Sequence, residues 1–168
     1  MPSLEDKLKQ KRQEEQQQER ARQSAQAAKE AEEARRRQAH RAIFSPYVQE
    51  ALDVFPRLAR KYGMPTSEIV YIAAGFLGLG QKQRKRAKVW SLPFEVCLAP
   101  NGSFYRYDRY AQTNCSVWPI SIFAKIDRAE AIEKICDGCR MATDPKPSPQ
   151  AIRDYVQDLF IACLEKRK

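Results

Sequence analysis

The sequence predicts an α+β domain: a small three-stranded antiparallel meander packed by helices, preceded by a helical hairpin and a long charged N-terminal arm that is helical or disordered. Three observations predict it. Residues 90–98 alternate strictly, with Trp90, Leu92, Phe94, Val96 and Leu98 on one side, as in a strand with one buried face. Pro100-Asn101-Gly102-Ser103 follows, and Asn-Gly tolerates the two positive φ angles of a type I′ hairpin turn. Helical periodicity then returns twice after residue 127, which supplies the layer that three strands need over their apolar face.

The expected division is an arm over residues 1–42 and one domain over 43–168. The arm carries 11 Lys+Arg against 8 Asp+Glu, and it has no Gly and no Pro after Pro2. Helix propensity is high throughout. Beyond Met1 its only large apolar residues are Leu4 and Leu8, so the sustained stripe of a coiled coil is missing.

Within the domain, Ser45-Pro46 reads as a helix start, with Ser as the cap and Pro at the first helical position. Pro56 is expected to kink or split that helix, and Gly63 to end it. Pro65-Thr66-Ser67-Glu68 then reads as the start of a second helix over residues 69–77. The spacing of Ala59, Gly63 and Ile69 resembles the helix-turn-helix, over roughly twenty residues. Leu58, Tyr62, Met64 and Ile72 fall on that motif's buried positions. The resemblance implies a second helix that reads DNA. That helix offers Thr66, Ser67, Glu68 and Tyr71, but no Arg, Lys, Asn or Gln to meet base edges. A structural helical hairpin is therefore the expectation.

If Asn101 and Gly102 alone form the turn, Leu98 faces Tyr105 and Val96 faces Tyr107. Residues 116–123 read as a third strand with Trp118, Ile120 and Ile122 on one face. Asp127 with Glu130 forms a capping box. Ser148-Pro149 opens the last helix, whose stripe is Ile152, Tyr155, Val156, Leu159, Phe160, Cys163 and Leu164.

Charge suggests the function. The net charge is +9, and residues 81–90 contribute +5 of it without a single acid. Lys82, Arg84, Lys85, Arg86 and Lys88 are expected on an exposed loop, where clustered cations repel unless an anion is near. Arg106 and Arg109 interleave with Tyr105 and Tyr107, a pattern that suits stacking of single-stranded bases. The expected function is a non-enzymatic nucleic-acid-binding protein that contacts phosphates of DNA or RNA with low sequence specificity. The alternative is a protein–protein adaptor or accessory subunit that docks on a larger assembly by residues 1–42.

Other chemistry is sparse. His40, the one histidine, is expected in the solvated arm, which leaves the domain without an imidazole base. The glycines at 75, 78 and 80 lack the Lys-Ser/Thr of a phosphate loop. Cys136-Asp137-Gly138-Cys139 is a lone CxxC, so no metal and no cofactor are expected, and buried structural thiols are. No apolar run reaches the roughly 20 residues of a membrane span, and no secretory leader is visible. These features suggest a reducing, cytoplasmic setting.

Overall fold

A computed structural model of the chain describes residues 4–73, 83–108, 122–142 and 146–165. The chain forms two units, Met1–Ala39 and His40–Lys168. Helix α1 runs over Leu4–Lys61. Its part in the first unit is solvated and held by local side-chain bonds four residues apart, such as Gln10 to Glu14 at 3.1 Å and Arg36 to Glu32 at 2.9 Å.

In the second unit, α1 does not start at Ser45-Pro46 or split at Pro56. Both prolines lie inside it. Each removes one backbone bond, but Phe44, Val48, Leu52, Phe55 and Ala59 recur every three or four residues, and none is more than 2% exposed. Burying that stripe outweighs two lost bonds. Gly63 does close the helix. At φ +62 it sets Met64 N to donate to Ala59 O at 2.8 Å and its own N to Arg60 O at 3.2 Å, the paired bonds of a left-handed glycine cap.

The sheet is not a three-stranded meander. Five strands close into a barrel in the order β1 (Ser67–Ala73), β2 (Gln83–Ser91), β3 (Val96–Leu98), β4 (Phe104–Tyr107) and β5 (Ile122–Ile126), with β5 parallel to β1 and every other pair antiparallel. Residues 69–73 of the expected second helix therefore belong to the first strand, and 74–77 lie outside the described residues. Ile69, Val70, Tyr71 and Ile72 are β-branched or aromatic and are apolar on both faces, a run that periodicity alone cannot tell from a buried helix. The expected continuous strand over 90–98 is two strands. Pro93 donates to no ladder, and a short 3-10 turn, Pro93–Glu95, folds the chain back so that Trp90 pairs with Leu98. The expected basic loop is most of β2. Residues 116–121 of the expected third strand lie outside the described residues.

The second hairpin corrects the register. Ala99 N donates to Ser103 O and Gly102 N to Ala99 O, with Gly102 at φ +86, so the loop has three residues rather than two. Leu98 pairs with Phe104 and Val96 with Arg106. A slip of one residue turns every side chain of β4 over. Phe104 and Arg106, not the tyrosines, share the face of Leu98 and Val96.

The two faces have separate cores. Ile69, Val89, Cys97, Ala99 and Tyr105 fill the barrel, with Tyr71, Ala87 and Phe123 against them. Trp90, Val96, Leu98, Phe104 and Ile126 face outward, under α1, α2 (Arg128–Gly138) and α3 (Pro149–Glu165). Both later helices are capped as expected. Asp127 Oδ1 accepts from Glu130 N at 2.7 Å, and Ser148 Oγ from Ala151 N at 3.1 Å. Pairing traced from Arg84 through Ile72, Ala124, Arg106 and Val96 returns to Leu92, eight residues further on. That stagger tilts the strands.

Candidate nucleic-acid interface

β2 displays its cations by alternation. Arg84, Arg86 and Lys88 share the outer face with Trp90, about 6.6–6.8 Å apart along the strand. Lys85 is on the opposite face, directly across from Tyr71. All four are exposed. Across the ladder Arg84 meets Ile72, Arg86 meets Val70 and Lys88 meets Glu68. Arg86 Nη1 lies 3.0 Å from Glu68 Oε1, but both side chains are more than half exposed, so the pair is screened and weak. Among the described residues of β1 and β2, Glu68 is the one acid, and it faces Lys88 and Arg86.

Arg106 is differently placed. It lies on the outer face across from Ala124, and the ladder continues through Ile72 to Arg84. Its Nε sits 2.9 Å from Glu130 Oε1, without the alignment of a hydrogen bond. A helix carboxylate therefore offsets its charge. Lys82 and Arg109 lie outside the described residues.

The tyrosines do not form the expected shared platform with the outer cations. Tyr105 is 3% exposed inside the barrel, its ring 4.9 Å from that of Tyr71. Burial, then the neighbouring Tyr71, pushes its hydroxyl up from the ordinary range. The register slip is the cause, since it turns Tyr105 to the face of Cys97. Tyr107 shares that inner face at the end of β4 but is only half-buried. It pairs with Phe123, ring centroids 5.8 Å apart and edge to face. Lys85, Tyr71, Phe123 and Tyr107 form one row of directly paired residues across four strands. Sequence reasoning missed Tyr71, which it put in a helix, and Phe123, which it put at the end of a strand. The β-branched and aromatic content of 69–72 and of 122–126 was the available signal.

Two further expectations resolve away from this face. His40 is half-buried, not solvated. Its ring lies 4.9 Å from Phe44, and Nε2 is 3.1 Å from the Cys136 carbonyl. Beside it Arg41 forks onto both carboxylate oxygens of Asp137 at 2.7 Å and reaches Glu133 at 2.7 Å. Cys136 and Cys139 are buried, and burial pushes their thiols up to about 12 and about 11. Protonated thiols are poor ligands and poor nucleophiles. Among the described residues, no group of three His, Cys, Asp or Glu side chains is placed to hold a metal ion, and no helix is long and apolar enough to cross a membrane.

No family model, curated protein or solved structure matches the chain.

Proposed function

We propose that the chain is a non-enzymatic nucleic-acid-binding protein that grips phosphates with the exposed face of β2. The supporting observation is the placement of Arg84, Arg86 and Lys88 on one side of one strand, with Glu68 as the acid across the ladder. A cation every second residue of a strand repeats at about 6.6–6.8 Å, close to the separation of successive phosphates in an extended strand. Lys85 adds a fourth charge from the other face. Such contacts give affinity and register but little sequence information.

A salt titration tests it. Binding of a fluorescent oligonucleotide to the full chain, followed by anisotropy, should weaken with salt at a log–log slope of about −2 to −3, as three neutralised phosphates predict. Arg84→Ala, Arg86→Ala and Lys88→Ala combined should flatten that slope and abolish binding at 0.15 M salt. No binding at low salt, or an unchanged slope in the triple variant, defeats the proposal. A second reading rests on the solvated helix of residues 5–39, whose exposed polar length suits docking on another protein. Deletion of residues 1–39 separates the two: it removes the partner in the adaptor reading and leaves the salt slope of β2 unchanged in the nucleic-acid reading.

A further inference from the structure

We infer that α1 and α3 present a self-complementary face on which a second copy of the chain docks. The face lies within the second unit and is independent of the phosphate reading, so either can fail without the other. Beside its buried stripe, α1 carries a second one at the same three- and four-residue spacing: Tyr47, Ala51, Val54 and Leu58, all half-buried. With Phe160, Ile161 and Leu164 of α3 they wall a cleft of about 180 Å³. A cavity of roughly 150 Å³ walled by such side chains stays dry and takes apolar guests. Tyr62 continues the stripe, its N–H still donating to Leu58 O at 2.9 Å. Tyr62 is 59% exposed and Ile161 46%, and among the described residues only Leu8 is another large hydrophobic so exposed.

Charge complementarity selects the occupant. The helices advance in the same direction, since Glu50 lies 3.4 Å from Arg153 and the Phe55 ring 5.8 Å from that of Phe160. Beyond the Glu50–Arg153 pair the two rims differ in sign. Arg57 and Lys61 share one side of α1, and Asp154, Asp158 and Glu165 share one side of α3; all five are exposed. By the 100° step of a helix, both sets stand opposite the buried stripes of their own helices and point away from the core. A partner must therefore bring an apolar centre, acids over α1 and bases over α3. A second copy turned about a two-fold axis parallel to the helices brings all three. That axis lays α1 of each copy over α3 of the other at an unchanged height. Arg57 and Lys61 then face Asp158 and Glu165 of the other copy, twice over, and the two Ile161 side chains meet above the clefts. The face is only about 16 Å long, three turns of two helices. It lies at the small end of specific interfaces, so the dimer is a weak, reversible one.

The experiment is sedimentation velocity of the full chain at low salt, from about 5 to 500 μM, the range in which a weak dimer forms and dissociates. The wild-type chain should pass from monomer to dimer across it. Ile161→Asp, which puts a charge at the apolar centre, should weaken the dimer roughly 10-fold or more. Arg57→Glu and Asp158→Arg each turn two attractions into two repulsions and should each weaken it by roughly the same factor. An equal mixture of those two variants restores both opposite-charge contacts and should dimerise about as well as the wild type. Thermal melts should find all three variants folded, since the substituted side chains are exposed. A wild-type chain that stays monomeric at the highest concentration overturns the inference. So does a dimer that Ile161→Asp leaves intact, which would place the contact elsewhere on the chain, or a mixture no stronger than its two components.

Discussion

The two halves of β2 share one backbone ladder and have opposite fates. From Arg84 to Lys88 every residue but Ala87 is charged and exposed, while Val89 and Trp90 are at most 3% exposed. The change falls within one residue. Val89 enters the barrel, and Trp90 turns under α1, where its ring meets Phe55 at 6.4 Å and its indole N–H donates to Met64 O at 3.2 Å. The stagger of the barrel explains the division, since among the described residues the helices cover the stretch of the outer face that runs from Trp90 through β3 and β4 to Ile126. The comparison teaches that a strand can be anchored at one end and left free for contacts at the other. The anchored end fixes the direction of every alternating side chain, so the cations need no packing of their own to be aligned.

The largest expected effect breaks the anchor. Trp90→Ala should cost about 3–5 kcal/mol in urea unfolding, since it empties a site walled by Phe55 and Arg60, whose guanidinium lies 5.9 Å from the indole ring. Lys88→Ala, two residues away, should stay within about 0.5 kcal/mol. Comparable losses in both variants would mean that the two halves are not distinct.

A smaller effect concerns the turn that ends the anchored half. Phe94 and Glu95 both hold left-handed backbone, φ 58 and 63, which costs side-chain-bearing residues about 1–2 kcal/mol each. The Phe94 ring rests on Gly138 at the end of α2, and a Cβ there would overlap the ring. Gly138→Ala should cost about 1–3 kcal/mol by overpacking. In a Phe94→Ala background the same substitution should cost much less, and a double-mutant cycle reads that coupling directly. Additive losses would show that the ring does not sit on Gly138.

The sequence carried some of this in plain form and hid the rest for identifiable reasons. Caps depend on a few adjacent residues, so Gly63, Asp127 and Ser148 were legible. The strict alternation of residues 90–98 correctly indicated strand, yet Trp90 and Leu98 belong to different strands that face each other. A tight fold-back that preserves alternation is invisible to periodicity, and only Pro93 marked the break. Asn101-Gly102 fits both a two-residue and a three-residue loop, and the choice between them decided which of Tyr105 and Arg106 points outward. The apolar run after Ser67 is barrel wall rather than helix, because both its faces are used. The cationic residues were legible from composition alone, and their common direction was not, since that follows from the pairing of β2 with β1.

The smallest effect sharpens the comparison inside the barrel. Cys97 lies on β3 opposite Ser91, at the anchored end, and burial pushes its thiol up to about 11. An unfolded thiol loses its proton near pH 9 or slightly below. Between those values the native state keeps a proton that the unfolded state has released, so stability must fall as pH rises. The slope is about 1.4 kcal/mol per pH unit once the unfolded thiol is fully ionised. Below pH 8 the contribution is complete and flat. Cys136 and Cys139 shift the same way and steepen the decline, so the informative variant is Cys97→Ala. Its urea midpoints at pH 8, 9, 10 and 11 should start lower, because packing is lost, but decline less steeply than those of the wild-type chain. An unchanged slope would place Cys97 in contact with water and leave the barrel end of β2 less sealed than its register requires.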